Sequence, residues 1–186
     1  AIVQARVAQF RGQTERYLAG KLSDDEFRPL RLQNGLYIQR HGPMLRLAVP
    51  YGLISARQLR KFADIALTGD PSHLPALFLA AATDYQLQDY VRAEARLRQV
   101  LDKQPMHFPA QRLLTATYLR LGQPNRAARI LPYLLRPGME DDADLAALAG
   151  EVFLSNQDFH HAELFFNHSA RLDPASDDKR TALAMA

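Results

Sequence analysis

A pattern that repeats about every 34 residues is the feature that most limits what this chain can fold into. Leu74 recurs as Phe108, one period later, and again as Ala143 after a slip of one residue. Each copy has two runs of apolar and small residues at helical spacing, separated by a short turn. This period predicts stacked helical hairpins, because a single hairpin cannot bury its apolar face alone. Arrays of this kind usually bind other molecules and rarely catalyse reactions.

The turns and the small residues return in step with the period. The three turns are predicted at Gln88 to Tyr90, Leu121 to Pro124 and Asn156 to Asp158. Gly122 suits the end of one helix and Pro124 the start of the next. Six small residues are expected to let the two helices of each hairpin approach closely, and these are Ala81, Ala93, Thr115, Ala127, Gly150 and Ala162.

These small positions, together with Tyr118 and Phe153 near the ends of the first helices and with Pro105 and Pro174, resemble the tetratricopeptide repeat. The resemblance implies a mainly α fold of three stacked hairpins in a short right-handed superhelix. The implied domain spans residues 71–186, with repeats at 74–107, 108–142 and 143–176 and then a truncated capping helix. The repeats are also similar to large bacterial tetratricopeptide lipoproteins associated with exopolysaccharide export and PEP-CTERM sorting.

A partner-binding face follows from the same resemblance. In tetratricopeptide proteins the first helix of each hairpin lines the concave face, so a protein or peptide ligand is implied there. An extended segment bearing an acidic and an apolar group would suit arginines beside aromatic and aliphatic side chains. The same positions also fit an ordinary solvated helix face, and that alternative stays open. The candidate residues are Phe78, Tyr85, Arg112, Leu119, Arg120 and Glu151.

Residues 1–66 differ from the repeats in charge and in pattern. They carry a net charge of +6, whereas residues 67–186 carry −3. A helix is predicted over Ala1 to Ala19, β character at residues 36–41 and 44–49, and a helix from Ala56 to Ala66 behind a Ser55 cap. The composition break and the Gly-Pro turn at residues 66–71 suggest that two segments are joined there as a chimera.

The stretch from Gly20 to Ala66 resembles the start of sulfite and nitrite reductase hemoproteins. The resemblance implies a small α+β fragment of a ferredoxin-like half-domain, in which Arg46 corresponds to an anion-contacting arginine. The alternative function is therefore a truncated siroheme reductase subunit that contributes anion contacts but lacks the cofactor ligands. Pairing of the unpartnered strand with a second chain would be a route to oligomers.

Composition narrows the remaining chemistry. The chain has no Cys, which excludes iron–sulfur clusters and zinc thiolate sites, so no cofactor is expected. No motif for catalysis is present, and His160, His161 and His168 lack the spacing of a metal site. The basic N-terminal helix lacks interleaved aromatic residues, so nucleic acid is not expected. No apolar run is long enough to span a membrane, and a soluble, cytoplasmic protein is favoured.

Overall fold

The computed structural model describes residues 55–135 and 141–174, and all regular structure in those ranges is helical. The predicted N-terminal helix, the β segments, Arg46 and the expected capping helix after residue 176 lie outside the described residues. Residues 136–140 lie outside them as well. The seven helices of the described ranges are α1 Ala56–Gly69, α2 Leu74–Gln86, α3 Tyr90–Lys103, α4 Phe108–Arg120, α5 Pro124–Leu134, α6 Ala143–Ser155 and α7 Phe159–Leu172.

The chain divides into two compact units, one ending at Lys103 and the other beginning at Gln104. In the first unit α2 packs against both α1 and α3. In the second unit α4 pairs with α5, α6 pairs with α7, and α6 also contacts α4 and α5. The predicted helical repeat is therefore confirmed, since helices two through seven form three consecutive antiparallel hairpins.

Each hairpin turns on the same backbone device. The second residue after the first helix has a positive φ, with values of 61° at Gln88, 66° at Gly122 and 63° at Gln157. The amide of the following residue then donates to a carbonyl in the last turn of the helix, for example Asp89 to Asp84 at 2.9 Å. Equivalent bonds of 2.9 Å occur at the other two turns. This is a Schellman ending, which satisfies carbonyl groups that the helix leaves without partners.

The first helices of the hairpins also begin alike. His73, His107 and Asp142 are the N-caps of α2, α4 and α6, and each side chain accepts a hydrogen bond from the backbone amide three residues later. Pro75 and Pro109 occupy the first turns of α2 and α4, where a missing N–H costs nothing. The repeat therefore fixes where each first helix starts as well as where it ends.

Small residues form the contact between paired helices. Five of the six predicted positions are Ala or Thr with no exposed surface, and Gly150 is buried as well. At Gly150 the packing is closest, because an added Cβ would lie 2.6 Å from Cε1 of Phe166. Phe166 is itself 2% exposed, so its ring has little room to move. The hairpin of α6 and α7 thus depends on the absence of a side chain at residue 150.

Helix α1 belongs to the same packing pattern. It begins at Ala56 behind a Ser55–Gln58 capping box and continues past Ala66 to Gly69. Its start lies one repeat period before the start of α3, just as α3 starts one period before α5. Its buried residues Leu59, Phe62, Ala63 and Ala66 share a core with Ala76, Leu79 and Ala80 of α2. The expected seam at residues 66–71 therefore does not interrupt the helical packing.

The tight contact at Gly150 leads to a testable result. Replacement of Gly150 with Ala should destabilise the fold by about 1 to 3 kcal/mol through overpacking, which exceeds the gain in helix propensity. Urea unfolding followed by circular dichroism would measure the change. Phe166→Leu should make room, so the double variant is expected to lose less than the sum of the two single changes. Strict additivity would contradict this contact.

Candidate interaction face

The six candidate residues lie on the first helices of the three hairpins. Phe78 and Tyr85 belong to α2 in the first unit, whereas Arg112, Leu119 and Arg120 belong to α4 and Glu151 to α6 in the second unit. Phe78 is only 9% exposed, so it contributes mainly to the core. Tyr85 is half-buried and meets Tyr90 edge to face, with ring centroids 5.3 Å apart. The α2 part of the face thus offers little more than the Tyr85 ring.

Arg112 is held by acidic groups of its own unit. Its Nη1 donates to Oδ2 of Asp142 at 2.7 Å, and its Nη2 lies 3.7 Å from Oδ2 of Asp144. Asp142 also caps α6, because its Oδ1 accepts from the amide of Leu145 at 2.8 Å. Arg112 therefore ties α4 to the start of α6, and an acidic ligand would have to compete with Asp142.

The charges of Arg120 on α4 and Glu151 on α6 also influence each other. Both residues are exposed. Loss of water around its carboxyl raises the pKa of Glu151, and the positive charge of Arg120 opposes that rise. Arg120 and Arg112 are eight residues apart, about 12 Å along the helix at 1.5 Å per residue. Charge is therefore present at both ends of this stretch of α4.

Apolar and small side chains occupy the same helix faces between these charges. Ala116 and Leu119 follow Arg112 at helical spacing, and Ala147 and Leu154 follow Asp144 in the same way. All four residues are half-buried. We call the surface made by Arg112, Ala116, Leu119 and Arg120 on α4 with Ala147, Glu151 and Leu154 on α6 the α4–α6 face. It combines half-buried apolar side chains with charges of both signs.

The structure also contains a buried ionic cluster that the sequence did not reveal. Asp84 on α2 has a side chain with no exposed surface, and it lies between Arg60 of α1 and Arg96 of α3. Nε of Arg60 is 3.3 Å from Oδ1 of Asp84, and Nη1 of Arg96 is 2.8 Å from Oδ2. Within the described residues neither oxygen receives a well-aligned hydrogen bond, so charge attraction dominates the contact.

Two further carboxylates surround the same arginines. Asp64 of α1 pairs with Arg96 and lies 3.8 Å from Nε of Arg60. Asp89, in the turn after α2, lies 3.7 Å from Nη1 of Arg60. The cluster thus joins the three helices that the structure describes in the first unit. Removing one partner of such a buried pair is costly, because it leaves an uncompensated charge in the interior.

Repeat register explains the position of the cluster. Asp84, Tyr118 and Phe153 occupy the same place near the ends of the first helices, and Arg96 is matched by Ile130 and Phe165 in the second helices. In the last hairpin Phe153 and Phe165 stack with centroids 5.4 Å apart. The first hairpin replaces this aromatic pair with an ion pair. The sequence signal that could have identified the buried ionic cluster was Asp84, which stands where the other two repeats have an aromatic residue.

The described part of the chain contains neither a metal-binding cluster nor a helix that could span a membrane. Across residues 55–135 and 141–174, no three His, Asp or Glu side chains gather closely enough to hold a metal ion. Nδ1 of His161 lies 2.8 Å from Oδ2 of Asp158, and its ring stacks on Phe153. Within the same ranges, no helix has the length and apolar character needed to cross a membrane.

The helices and the repeated turns form a helical repeat fold of the tetratricopeptide type. Among solved structures, the chain is similar to MamA 41-end from Desulfovibrio magneticus RS-1, a TPR-like helical repeat protein, with a TM-score of 0.67 and 18% sequence identity. The match covers 80% of this chain and 82% of that chain. A double mutant of MamA RS-1 gives a TM-score of 0.66 at 19% identity with the same coverage. At this identity the likeness establishes the fold alone.

Other comparisons add no closer relationship. No protein-family model matches the chain, and no curated protein matches it. The predicted similarities to sulfite and nitrite reductases and to PEP-CTERM-associated proteins are not supported, and neither is the chimera. The ferredoxin-like fragment is not shown, because its predicted strands fall outside the described residues. The short sequence pattern of the N-terminal stretch was therefore not enough to define a family.

The buried cluster makes stability depend on pH. Burial raises the pKa of Asp84 to about 6, against the lowering effect of Arg96 and Arg60. Because this pKa exceeds the ordinary 3.8, the stabilisation from protonated Asp84 is complete below about pH 4 and is lost as pH rises through 6. We expect this group to lower the free energy of unfolding by about 1 kcal/mol between pH 5 and 7.5.

Urea unfolding at a series of pH values would measure that loss, with Asp84→Asn as the matched variant. The Asn side chain keeps the shape of Asp but does not titrate, so its stability should lack this component of the pH dependence. Parallel pH profiles for the two proteins would show that Asp84 does not titrate in this range.

Proposed function

We propose that this chain is a non-enzymatic scaffold that binds an extended protein or peptide segment on the first helices of its hairpins. The tetratricopeptide-type fold supports this proposal, since its stacked hairpins present extended binding surfaces. The strongest support comes from the α4–α6 face. There half-buried Leu119 lies beside Arg120 on α4, and half-buried Leu154 lies near Glu151 on α6. Partly buried aliphatic groups beside charge are suited to recognise a segment of alternating apolar and charged residues.

The proposed array consists of repeats 74–107, 108–142 and 143–176 within residues 71–186. Helix α1 precedes them in the register of a second helix. We assign partner contacts chiefly to Leu119, Arg120 and Glu151, because Arg112 is already engaged by Asp142 and Phe78 is buried. Tyr85 is a separate proposed contact on α2 of the first unit.

A charge reversal at Arg120 tests the assignment. Short random peptides displayed on phage would be selected against the full chain, and the affinities of the enriched peptides would be measured by calorimetry. Arg120→Glu should weaken binding by roughly tenfold, because it removes an attractive charge and adds a repulsive one. Arg112→Glu is a poorer probe, since it also breaks the contact with Asp142.

The matched control is Arg129→Glu, which makes the same charge change on an exposed residue of the second helix α5. Its affinity for the selected peptides should equal that of the unmodified chain. If the peptides bind the Arg120→Glu variant with unchanged affinity but bind the Arg129→Glu variant more weakly, the binding surface lies on the second helices and the assignment is refuted.

A further inference from the structure

Two histidines cap helices at equivalent positions of successive hairpins. The amide of Ala76 donates to Nδ1 of His73 at 3.2 Å, and the amide of Ala110 donates to Nδ1 of His107 at 3.1 Å. The two histidines are one repeat period apart, so the cap is part of the repeat. Histidine is an unusual choice here, since Ser, Thr, Asp and Asn are the preferred N-caps.

The geometry fixes the protonation state of both rings. A backbone amide can only donate, so Nδ1 must carry a free lone pair and the proton of the neutral ring must be on Nε2. Protonation would place a hydrogen on Nδ1 and remove the acceptor. It would also put a positive charge at the positive end of the helix dipole, which is unfavourable. Each cap therefore forms only with neutral imidazole.

The third hairpin provides an internal contrast. Asp142 occupies the corresponding position and accepts from the amide of Leu145 at 2.8 Å. A carboxylate remains an acceptor at pH values where imidazole takes up a proton. The starts of α2 and α4 are thus chemically different from the start of α6, although all three caps use the same backbone geometry.

Charged groups lie near His73, and the first charged residue of α4 follows His107. Asp70, which accepts from both the amide and the hydroxyl of Ser72, attracts positive charge at His73. Lys103 of α3 also interacts with Asp70 and weakens that attraction. On α4, Arg112 follows His107 by five residues and is engaged by Asp142 and Asp144 of α6. The carboxylate of Asp70 cannot restore the acceptor that a proton on Nδ1 of His73 would remove.

We propose that His73 and His107 are pH-sensitive N-caps, which hold the first turns of α2 and α4 when neutral and release them when protonated. Each cap holds while Nδ1 of its imidazole is unprotonated and is lost when the ring takes up a proton. The released turns include Pro75 and Pro109, one turn before Phe78 and Arg112. Mild acid would loosen these helix starts while the start of α6 stays capped.

Amide hydrogen exchange on the full chain, read by nuclear magnetic resonance, tests this directly. Protection factors corrected for the intrinsic effect of pH would be compared at pH 7.5 and 5.5 for Ala76, Ala110 and Leu145. Protection at Ala76 and Ala110 should fall by roughly fivefold relative to Leu145 at the lower pH. Protonation of Asp84 stabilises the first unit at the lower pH, so a fall in protection at Ala76 would not arise from it. Equal changes at all three amides would overturn the proposal.

Two variants provide matched controls. His107→Asn supplies a cap that does not titrate, so Ala110 should lose its pH response while Ala76 keeps it, and His73→Asn should give the reverse result. Far-ultraviolet circular dichroism would verify that both variants fold. The nitrogen chemical shifts of the imidazole rings at pH 7.5 should show Nδ1 unprotonated. A proton on Nδ1, or an unchanged pH response in the Asn variants, would refute the proposed caps.

Discussion

The close approach of two helices at small residues is the constraint on which the rest of this structure depends. Ala81 and Ala93, and then Thr115 and Ala127, have no exposed surface, and Gly150 leaves room for the Phe166 ring and for nothing more. Because the helices of a hairpin lie so near, the turn between them must be short. The left-handed residues Gln88, Gly122 and Gln157 make this possible. A period of about 34 residues is the length that these requirements impose.

The hairpins share this packing but differ in their charged side chains. The first hairpin replaces an aromatic contact with the pair of Asp84 and Arg96, while the last hairpin keeps the stacked rings of Phe153 and Phe165. Arg112 uses Asp142 to join α4 to the start of α6. These ionic groups therefore contribute to specific helix pairing, whereas Arg120 and Glu151 of the α4–α6 face are exposed. This division separates the residues that build the fold from the residues proposed to bind.

The repeat was predictable from sequence because it rests on residue size and on local turn chemistry. The small residues, the Gly122 turn and the alignment of Leu74, Phe108 and Ala143 are all visible in the printed chain. The side-chain contacts were not predictable, because they join residues that are far apart along the chain. Arg112 looked like a ligand contact until its pairing with Asp142 was seen, and Phe78 looked exposed although it is buried. The role of His107 was not predictable, because its partner is a backbone amide, which leaves no trace in the sequence.

The central claim is that close helix packing at the small residues, repeated with the period of the sequence, supports each hairpin of the array. Residue-resolved hydrogen exchange on the full chain at neutral pH measures this most directly. The account predicts that the slowest-exchanging amides cluster around Ala81, Ala93, Thr115, Ala127, Gly150 and Ala162, so that maxima of protection recur with the period of the repeat. Maxima that fall elsewhere in the helices, or that lack this period, would contradict it.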